Sequence, residues 1–153
     1  LGDCLMEYFE KESFLSQKKA IPSKNISADH FIIEKKKMYA GQHLLLDFWG
    51  VEFNNSVITL KKVLKNAIKV SGATLLHIHL HRFGKQQGIS GVAVLAESHI
   101  SVHTWPERDY IAFDIFMCGD TSPQASAEYL LKTFKPKKSI LKKIKRGVIK
   151  IGK

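Results

Sequence analysis

Hydrophobic and polar residues alternate along several stretches of the chain, a pattern typical of strands that bury one face. The first such stretch covers about residues 42 to 49, and the second is "ATLLHIHLHRF". After the glycine-rich "GKQQGISG" come three further β-type runs, "VAVLA", "HISVHT" and "YIAFDIFMC". Near the C-terminus, "SILKKIK" and "VIKI" are candidates for edge strands, because lysines discourage unwanted pairing there.

Two other stretches have apolar residues at helical spacing. Asn55 or Ser56 can cap the first predicted helix, and Thr121 or Ser122 the second. The expected inward positions are Val57, Leu60, Leu64, Ala67 and Ile68 in the first helix, and Ala127, Leu130, Leu131 and Phe134 in the second. Together these elements predict an α+β fold: a two-layer sandwich with a mostly antiparallel sheet and helices packed on one face.

The domain organisation follows from the length of 153 residues, which suits one domain. The first forty residues have mixed charge and weak periodicity. We expect residues 1–40 to be an N-terminal extension and linker, with a helix over about residues 3 to 16. Residues 41–153 then form the single domain.

No apolar run reaches the roughly 20 residues needed to cross a bilayer, and no signal segment opens the sequence. We therefore expect a cytoplasmic protein without membrane contact. Cys4 and Cys118 are too few for a disulfide framework and lack metal-type spacing, so each is expected to be a free thiol.

The net charge of +10 lies at one end of the chain. Residues 1–37 carry a net charge of +1, residues 38–131 of −1 and residues 132–153 of +10. The lysine-rich segment 132–153 is interpreted as a solvated edge and tail. Nucleic acid is not the expected partner, since Phe134 is the one aromatic residue within this basic segment.

The stretch "AESHISVHTWPE", residues 96–107, holds more polar chemistry than a core strand needs. The polar turn "TWPERDY" predicts a hairpin tip near residues 106 to 109. A regular register about that tip places Ser98 opposite residue 117, give or take one, and so beside Cys118. His103 is five residues from Ser98, which on a straight strand means the opposite face. The two can cooperate only if the chain bends near Glu97 or a second subunit completes the site.

Taken singly, these residues have ordinary explanations, such as a satisfied hydroxyl or a small buried thiol. His77, His79 and His81 alternate onto one strand face, but without a carboxylate motif we expect no metal site. A serine hydrolase is disfavoured because Ser98 lies in no G-x-S-x-G elbow.

The stretch "GISGVAVLAESHISVHTWPERDYIAFDIFMCG" resembles the signature region of the prokaryotic S-adenosylmethionine decarboxylases, small pyruvoyl-dependent enzymes of polyamine synthesis. The resemblance covers about Gly41 to Phe134 and leaves out the first forty residues and the lysine-rich tail. It implies self-cleavage between Glu97 and Ser98. The other matching positions are Ser90 for processing, His103 for processing and proton transfer, Cys118 as the catalytic proton donor and Phe83 for binding the substrate adenine. The segment after Phe83 is one residue longer than usual.

The resemblance also implies the cofactor: Ser98 becomes a pyruvoyl group, which forms a Schiff base with the substrate amine and acts as an electron sink. S-adenosylmethionine would then be converted to its decarboxylated form, the aminopropyl donor for spermidine, by a homodimer with sites at the interface. Two alternatives stay open. The same machinery can act on arginine or ornithine, or the chain can be an uncleaved binding or regulatory module with a basic tail.

Overall fold

The computed structural model describes residues 30–84 and 87–151. The elements are β1 (Ile32–Glu34), β2 (Lys37–Tyr39), β3 (Gly41–Trp49), α1 (Val57–Val70), β4 (Leu75–Arg82), β5 (Ile89–Leu95), β6 (Ser98–Trp105), a short 3-10 helix (Pro106–Arg108), β7 (Tyr110–Met117), α2 (Pro123–Phe134), β8 (Lys138–Arg146) and β9 (Ile149–Lys150). Within the described ranges, no helix is both long and apolar enough to cross a membrane.

Six strands form one antiparallel sheet in the order β4-β5-β6-β7-β3-β8. The hairpin of β6 and β7 turns through the 3-10 helix and Asp109, whose φ of 48° lies in the left-handed region that aspartate tolerates. From this tip the pairing runs without interruption to Ser98 opposite Met117, which confirms the predicted register. Cys118 therefore follows directly after the partner of Ser98.

Both helices lie on one face of the sheet. Ser56 caps α1 by accepting a hydrogen bond from the Thr59 N–H at 3.2 Å, and Ser122 caps α2 in the same way. Alternate strand residues point toward the helices and form the buried core, among them Leu44, Leu46, Phe48, Ile100, Val102, Ile111, Phe113 and Ile115. The predicted α+β two-layer sandwich is confirmed.

One predicted inward position is wrong, because Leu131 of α2 is 43% exposed. The reason is that β8, which pairs with β3 at the sheet edge, reaches beyond the layer that the two helices cover. Every residue of β8 is exposed, and Leu131 and Leu141 line the same shallow groove. The prediction of a lysine-rich edge strand is confirmed.

A small sheet of order β1-β2-β9 joins residues 32–39, inside the predicted extension, to the C-terminal end. The Lys145 ammonium of β8 donates a hydrogen bond to the Glu34 carboxylate, which lowers the pKa of Glu34. Just before β1, the His30 carbonyl accepts the Gly119 N–H at 3.0 Å. The predicted helix over residues 3 to 16 and Cys4 lie outside the described residues.

The second face of the six-stranded sheet, here called the open face, is not covered by any element among residues 30–84 and 87–151. At one end of it the rings of Trp49, Tyr110 and Trp105 lie side by side, with centroids 5.3 and 5.1 Å apart. The Tyr110 hydroxyl donates to Asp47 at 2.5 Å, and burial together with this bond raises the pKa of Tyr110 to about 12. The open face thus presents ordered polar and aromatic side chains.

Candidate active site

The Glu97–Ser98 bond lies at a tight turn between β5 and β6, where Leu95 pairs with Ser98. Thr74, just before β4, holds this turn through two hydrogen bonds. Its carbonyl accepts the Ala96 N–H at 3.0 Å, and its N–H donates to the Glu97 carboxylate at 2.9 Å. The peptide bond between residues 97 and 98 is therefore held from the neighbouring segment rather than left free in a loop.

The Glu97 carbonyl oxygen accepts two hydrogen bonds from Cys118. The backbone N–H lies 3.0 Å away and the thiol Sγ 3.1 Å away. Burial raises the pKa of the Cys118 thiol above its ordinary value, and the negative charge of Glu97 raises it further. The thiol is accordingly protonated at neutral pH and able to donate. Two donors on one carbonyl are the arrangement that stabilises an oxyanion when a nucleophile adds to its carbon.

Ser98 has a φ of 135°, a backbone conformation that residues with a side chain rarely adopt. Such conformations cost about 1–3 kcal/mol and persist only where surrounding structure imposes them. The Ser98 Oγ lies 3.2 Å from Nδ1 of His99. A hydroxyl with a strained backbone, an adjacent imidazole and a polarised carbonyl next to it is equipped for attack on the preceding peptide bond.

Ser90 and His103 form a second cluster on the open face. They are directly paired across β5 and β6, and the Ser90 Oγ lies 2.7 Å from the His103 Nδ1. His103 is five residues from Ser98 along β6, which corresponds to about 16 Å on a strand. The pairing of β6 with both neighbours is uninterrupted from Ser98 to His103. The structure therefore brings together Glu97, Ser98 and Cys118 in one place and Ser90 and His103 in another.

Phe83 lies at the same end of the sheet as the Ser90–His103 pair. Its ring stands edge-on to His81 with centroids 4.9 Å apart and is 61% exposed. Beside it is an open cleft of about 390 Å³, which we call the Phe83 cleft. On the side of the β4–β5 connection, which we call the Phe83 wall, the lining residues are Phe83, Gln87 and Gly88. On the side of β5, β6 and the 3-10 helix, which we call the opposite wall, they are Ser90, His103, Thr104, Trp105 and Glu107. An exposed ring beside a cleft of this size suits stacking with a flat aromatic ligand.

His77, His79 and His81 do lie on the exposed side of the edge strand β4. In the part of the chain that the structure describes, no group of three histidine, cysteine or carboxylate side chains is arranged to hold a metal ion.

Sequence reasoning missed three contributors to these clusters: His99, Thr74 and the backbone N–H of Cys118. His99 directly follows the candidate nucleophile, so its position was a usable signal. Thr74 and the Cys118 N–H act through hydrogen bonds between distant segments, and no local pattern marks them.

The fold is an α+β sandwich, and the Glu97 carbonyl, Ser98 and Cys118 that meet at one turn are groups of the kind that enzymes use for catalysis. The comparisons give the particular family. A family model described as S-adenosylmethionine decarboxylase matches residues 42–147, and the chain belongs to this family. The matched range includes β8, so the expectation that the lysine-rich segment lies wholly outside the resemblance is wrong.

Individual relatives from different prokaryotes are members of the same family. The chain is 44% identical over 115 residues to an S-adenosylmethionine decarboxylase proenzyme of Methanococcus maripaludis strain S2, covering 73% of this chain and 93% of the relative. It is 34% identical over 110 residues to the proenzyme of Thermomicrobium roseum, covering 71% and 95%. The crystal structure of the adenosylmethionine decarboxylase from Aquifex aeolicus VF5 is 30% identical, with a TM-score of 0.68 over 75% of this chain and 97% of that one.

Proposed function

We propose that this chain cleaves itself between Glu97 and Ser98, converts Ser98 to a pyruvoyl group, and decarboxylates S-adenosylmethionine to the aminopropyl donor for spermidine. The observation that carries the proposal is the Glu97 carbonyl, held by the N–H and S–H of Cys118 beside the strained Ser98. A structural serine at a strand start needs neither the two donors nor the strain.

Processing uses the chain's own groups. The Ser98 Oγ attacks the Glu97 carbonyl carbon, and its proton passes to His99. The Ser98 nitrogen takes up a proton as the C–N bond breaks, which leaves an ester and a free amine at residue 98. The Cys118 N–H and S–H stabilise the negative charge that develops on the Glu97 oxygen. Elimination across Cα and Cβ of Ser98 then releases the Glu97 carboxylate, and hydrolysis of the remaining enamine releases ammonia.

The residues around position 98 also fit the group that this reaction leaves. A pyruvoyl group supplies an electron sink for the loss of carbon dioxide. Cys118 can then donate the proton that replaces the lost carboxylate, because its thiol is protonated at neutral pH and follows the strand partner of Ser98. Phe83 would stack on the adenine, and no metal ion is needed.

After cleavage, residues 1–97 and 98–153 would remain one folded unit. Strand β3 of the first fragment lies between β7 and β8 of the second, while β5 pairs with β6 and β2 with β9. The fragments are interleaved, so separating them requires breaking up the sheet.

The separation of the two clusters is resolved by a homodimer. Two open faces packed about a twofold axis would bring the Glu97–Ser98 turn of one protomer, at the end of β6, to the open-face cluster of Ser90, His103 and Phe83 in its partner. This arrangement is supported by the uncovered open face, on which Val94 is 40% exposed and Ile144 42% exposed. It also gives His103 access to the scissile bond without a bend in β6, and there its imidazole supplies the proton that the leaving Ser98 nitrogen takes up.

Intact-protein mass spectrometry tests the proposed processing. We expect two fragments divided between Glu97 and Ser98 that co-purify under native conditions, the second lighter by one ammonia than hydrolysis alone predicts. A chain that stays whole on prolonged incubation would instead favour the uncleaved binding module. Turnover measured with S-adenosylmethionine, arginine and ornithine then identifies the substrate, and activity confined to either amino acid would contradict our choice.

Mixed dimers test the shared site. We expect His103→Ala chains to process poorly alone, and about half of them to process when mixed in equal amounts with Ser98→Ala chains, since random pairing supplies half with an intact partner His103. Cleavage of the His103→Ala chain is followed by gel electrophoresis. The control partner carries both Ser98→Ala and His103→Ala and should give no rescue. Equal cleavage with both partners would show that His103 acts within its own chain.

A further inference from the structure

The Phe83 cleft depends on a residue that neither lines it nor belongs to the two clusters above. Asn55, between β3 and α1, is 8% exposed and is one of few buried polar side chains in the described part of the chain. Its side-chain amide donates to the Gln87 carbonyl at 2.7 Å, in the wall that carries Phe83. Its backbone carbonyl accepts a hydrogen bond from the Arg82 guanidinium, next to Phe83.

The same Asn55 side chain reaches the opposite wall. Its Oδ1 accepts the Thr104 hydroxyl at 3.3 Å, and the Thr104 Oγ1 in turn accepts the Ile89 N–H at 2.8 Å. Ile89 and Thr104 are the direct neighbours of Ser90 and His103. The Asn55 side chain therefore connects the segment before β5 with the end of β6, and its backbone carbonyl binds the end of β4.

Backbone packing shows how tightly the two walls meet. A Cβ added at Gly88 would lie 1.9 Å from the Thr104 carbonyl oxygen, so only glycine fits there. Asn55 has a φ of 49°, in the left-handed region. Asparagine is one of the few residues other than glycine that adopt this conformation often. The close contact at Gly88 and the buried Asn55 amide thus lie at the same junction between the two walls. A residue that only filled the core would need neither a left-handed backbone nor a polar side chain.

We propose that Asn55 is a positioning residue for the Phe83 cleft. It holds the Phe83 wall at a fixed distance from β6 and thereby sets the affinity for the adenine end of the substrate. The part of this proposal that concerns the substrate rests on the proposed function. Asn55 touches no reacting atom and acts through Gln87, Arg82 and Thr104.

Asn55→Gly tests this role, because glycine adopts the observed φ without cost and removes only the side chain. Hydrogen–deuterium exchange should become faster at the amides of Phe83 and Ile89 and stay unchanged in α1. The KM for S-adenosylmethionine should rise about tenfold, with kcat changed less than about threefold, since misplacing a binding group weakens binding more than chemistry performed elsewhere.

Matched variants separate positioning from general stability. Thr104→Ser keeps the hydroxyl and should behave as the unmodified chain, whereas Thr104→Val should reproduce Asn55→Gly. Asn66→Ala removes a comparable bond, from Asn66 to the Tyr129 hydroxyl at 3.1 Å between the helices, and should lower stability without changing KM.

Unchanged exchange at Phe83 and Ile89 in Asn55→Gly would overturn the positioning role. Faster exchange with an unchanged KM would overturn the link to the substrate. If the unmodified chain neither cleaves nor turns over S-adenosylmethionine, the proposed function fails and takes the substrate part with it, while the exchange measurement still decides whether Asn55 fixes the walls.

Discussion

Ser98→Ala is expected to leave the chain whole, with no detectable fragment of residues 98–153 and no decarboxylation. The reason is that the Oγ of Ser98 both attacks the Glu97 carbonyl and supplies the carbon skeleton of the pyruvoyl group. No other hydroxyl in the described residues lies in this turn. Gel electrophoresis and intact mass after days of incubation measure the effect. Ser139→Ala, on the exposed edge strand β8, is the matched control and should cleave normally.

The base for this step is tested within the same series. His99→Gln keeps a polar side chain next to Ser98 but cannot take up its proton, so we expect cleavage slowed by about 10²-fold rather than abolished. Normal cleavage of His99→Gln would assign the proton transfer to another group, with His103 of the partner as the next candidate. Cleavage of Ser98→Ala at the same bond would show that the Ser98 hydroxyl is not the nucleophile.

The part of the site that lies within one hairpin was predictable from the sequence. The turn residues around Pro106 fix the tip, regular alternation carries the register back along both strands, and Ser98 falls opposite Met117 as expected. The helix caps at Ser56 and Ser122 follow from similarly local chemistry. In each case the deciding interaction lies within a few residues or one hairpin.

Interactions between distant segments were not predictable in this way. Thr74 holds the Glu97 turn from the segment just before β4, and Asn55 connects the ends of β4 and β6 with the segment before β5, yet neither lies in a periodic pattern. The pairing of β2 with β9 joins residues more than a hundred positions apart. Leu131 was misplaced because its burial depends on how far β8 extends past the helices, which is a property of the assembled sheet and not of α2.

Cys118 is expected to show two separable effects, because its thiol has two roles. In Cys118→Ala, the Glu97 carbonyl keeps the backbone N–H but loses the S–H, so processing should slow by about 10²-fold. Cys118→Ser restores a donor at that position, and processing should return to within about tenfold of normal. Decarboxylation by the processed fraction should nevertheless fall about 10²- to 10⁴-fold in both variants, since a serine hydroxyl is too weak an acid to replace the thiol.

The pH dependence of the unmodified enzyme follows from the raised pKa of Cys118. A thiol holds its proton below its pKa and loses it as the pH rises, so donation to the Glu97 oxygen and to the substrate carbon should both persist through neutral pH. Loss of this proton should appear as an alkaline limb of the activity, above the ordinary range of a thiol. Single-turnover measurements on processed protein across this range give the limb, which should be absent from the residual activity of Cys118→Ser. An alkaline limb retained in Cys118→Ser would show that a different group donates the proton to the substrate carbon. Equal losses of processing in the alanine and serine variants would show that the thiol does not assist the attack on the Glu97 carbonyl.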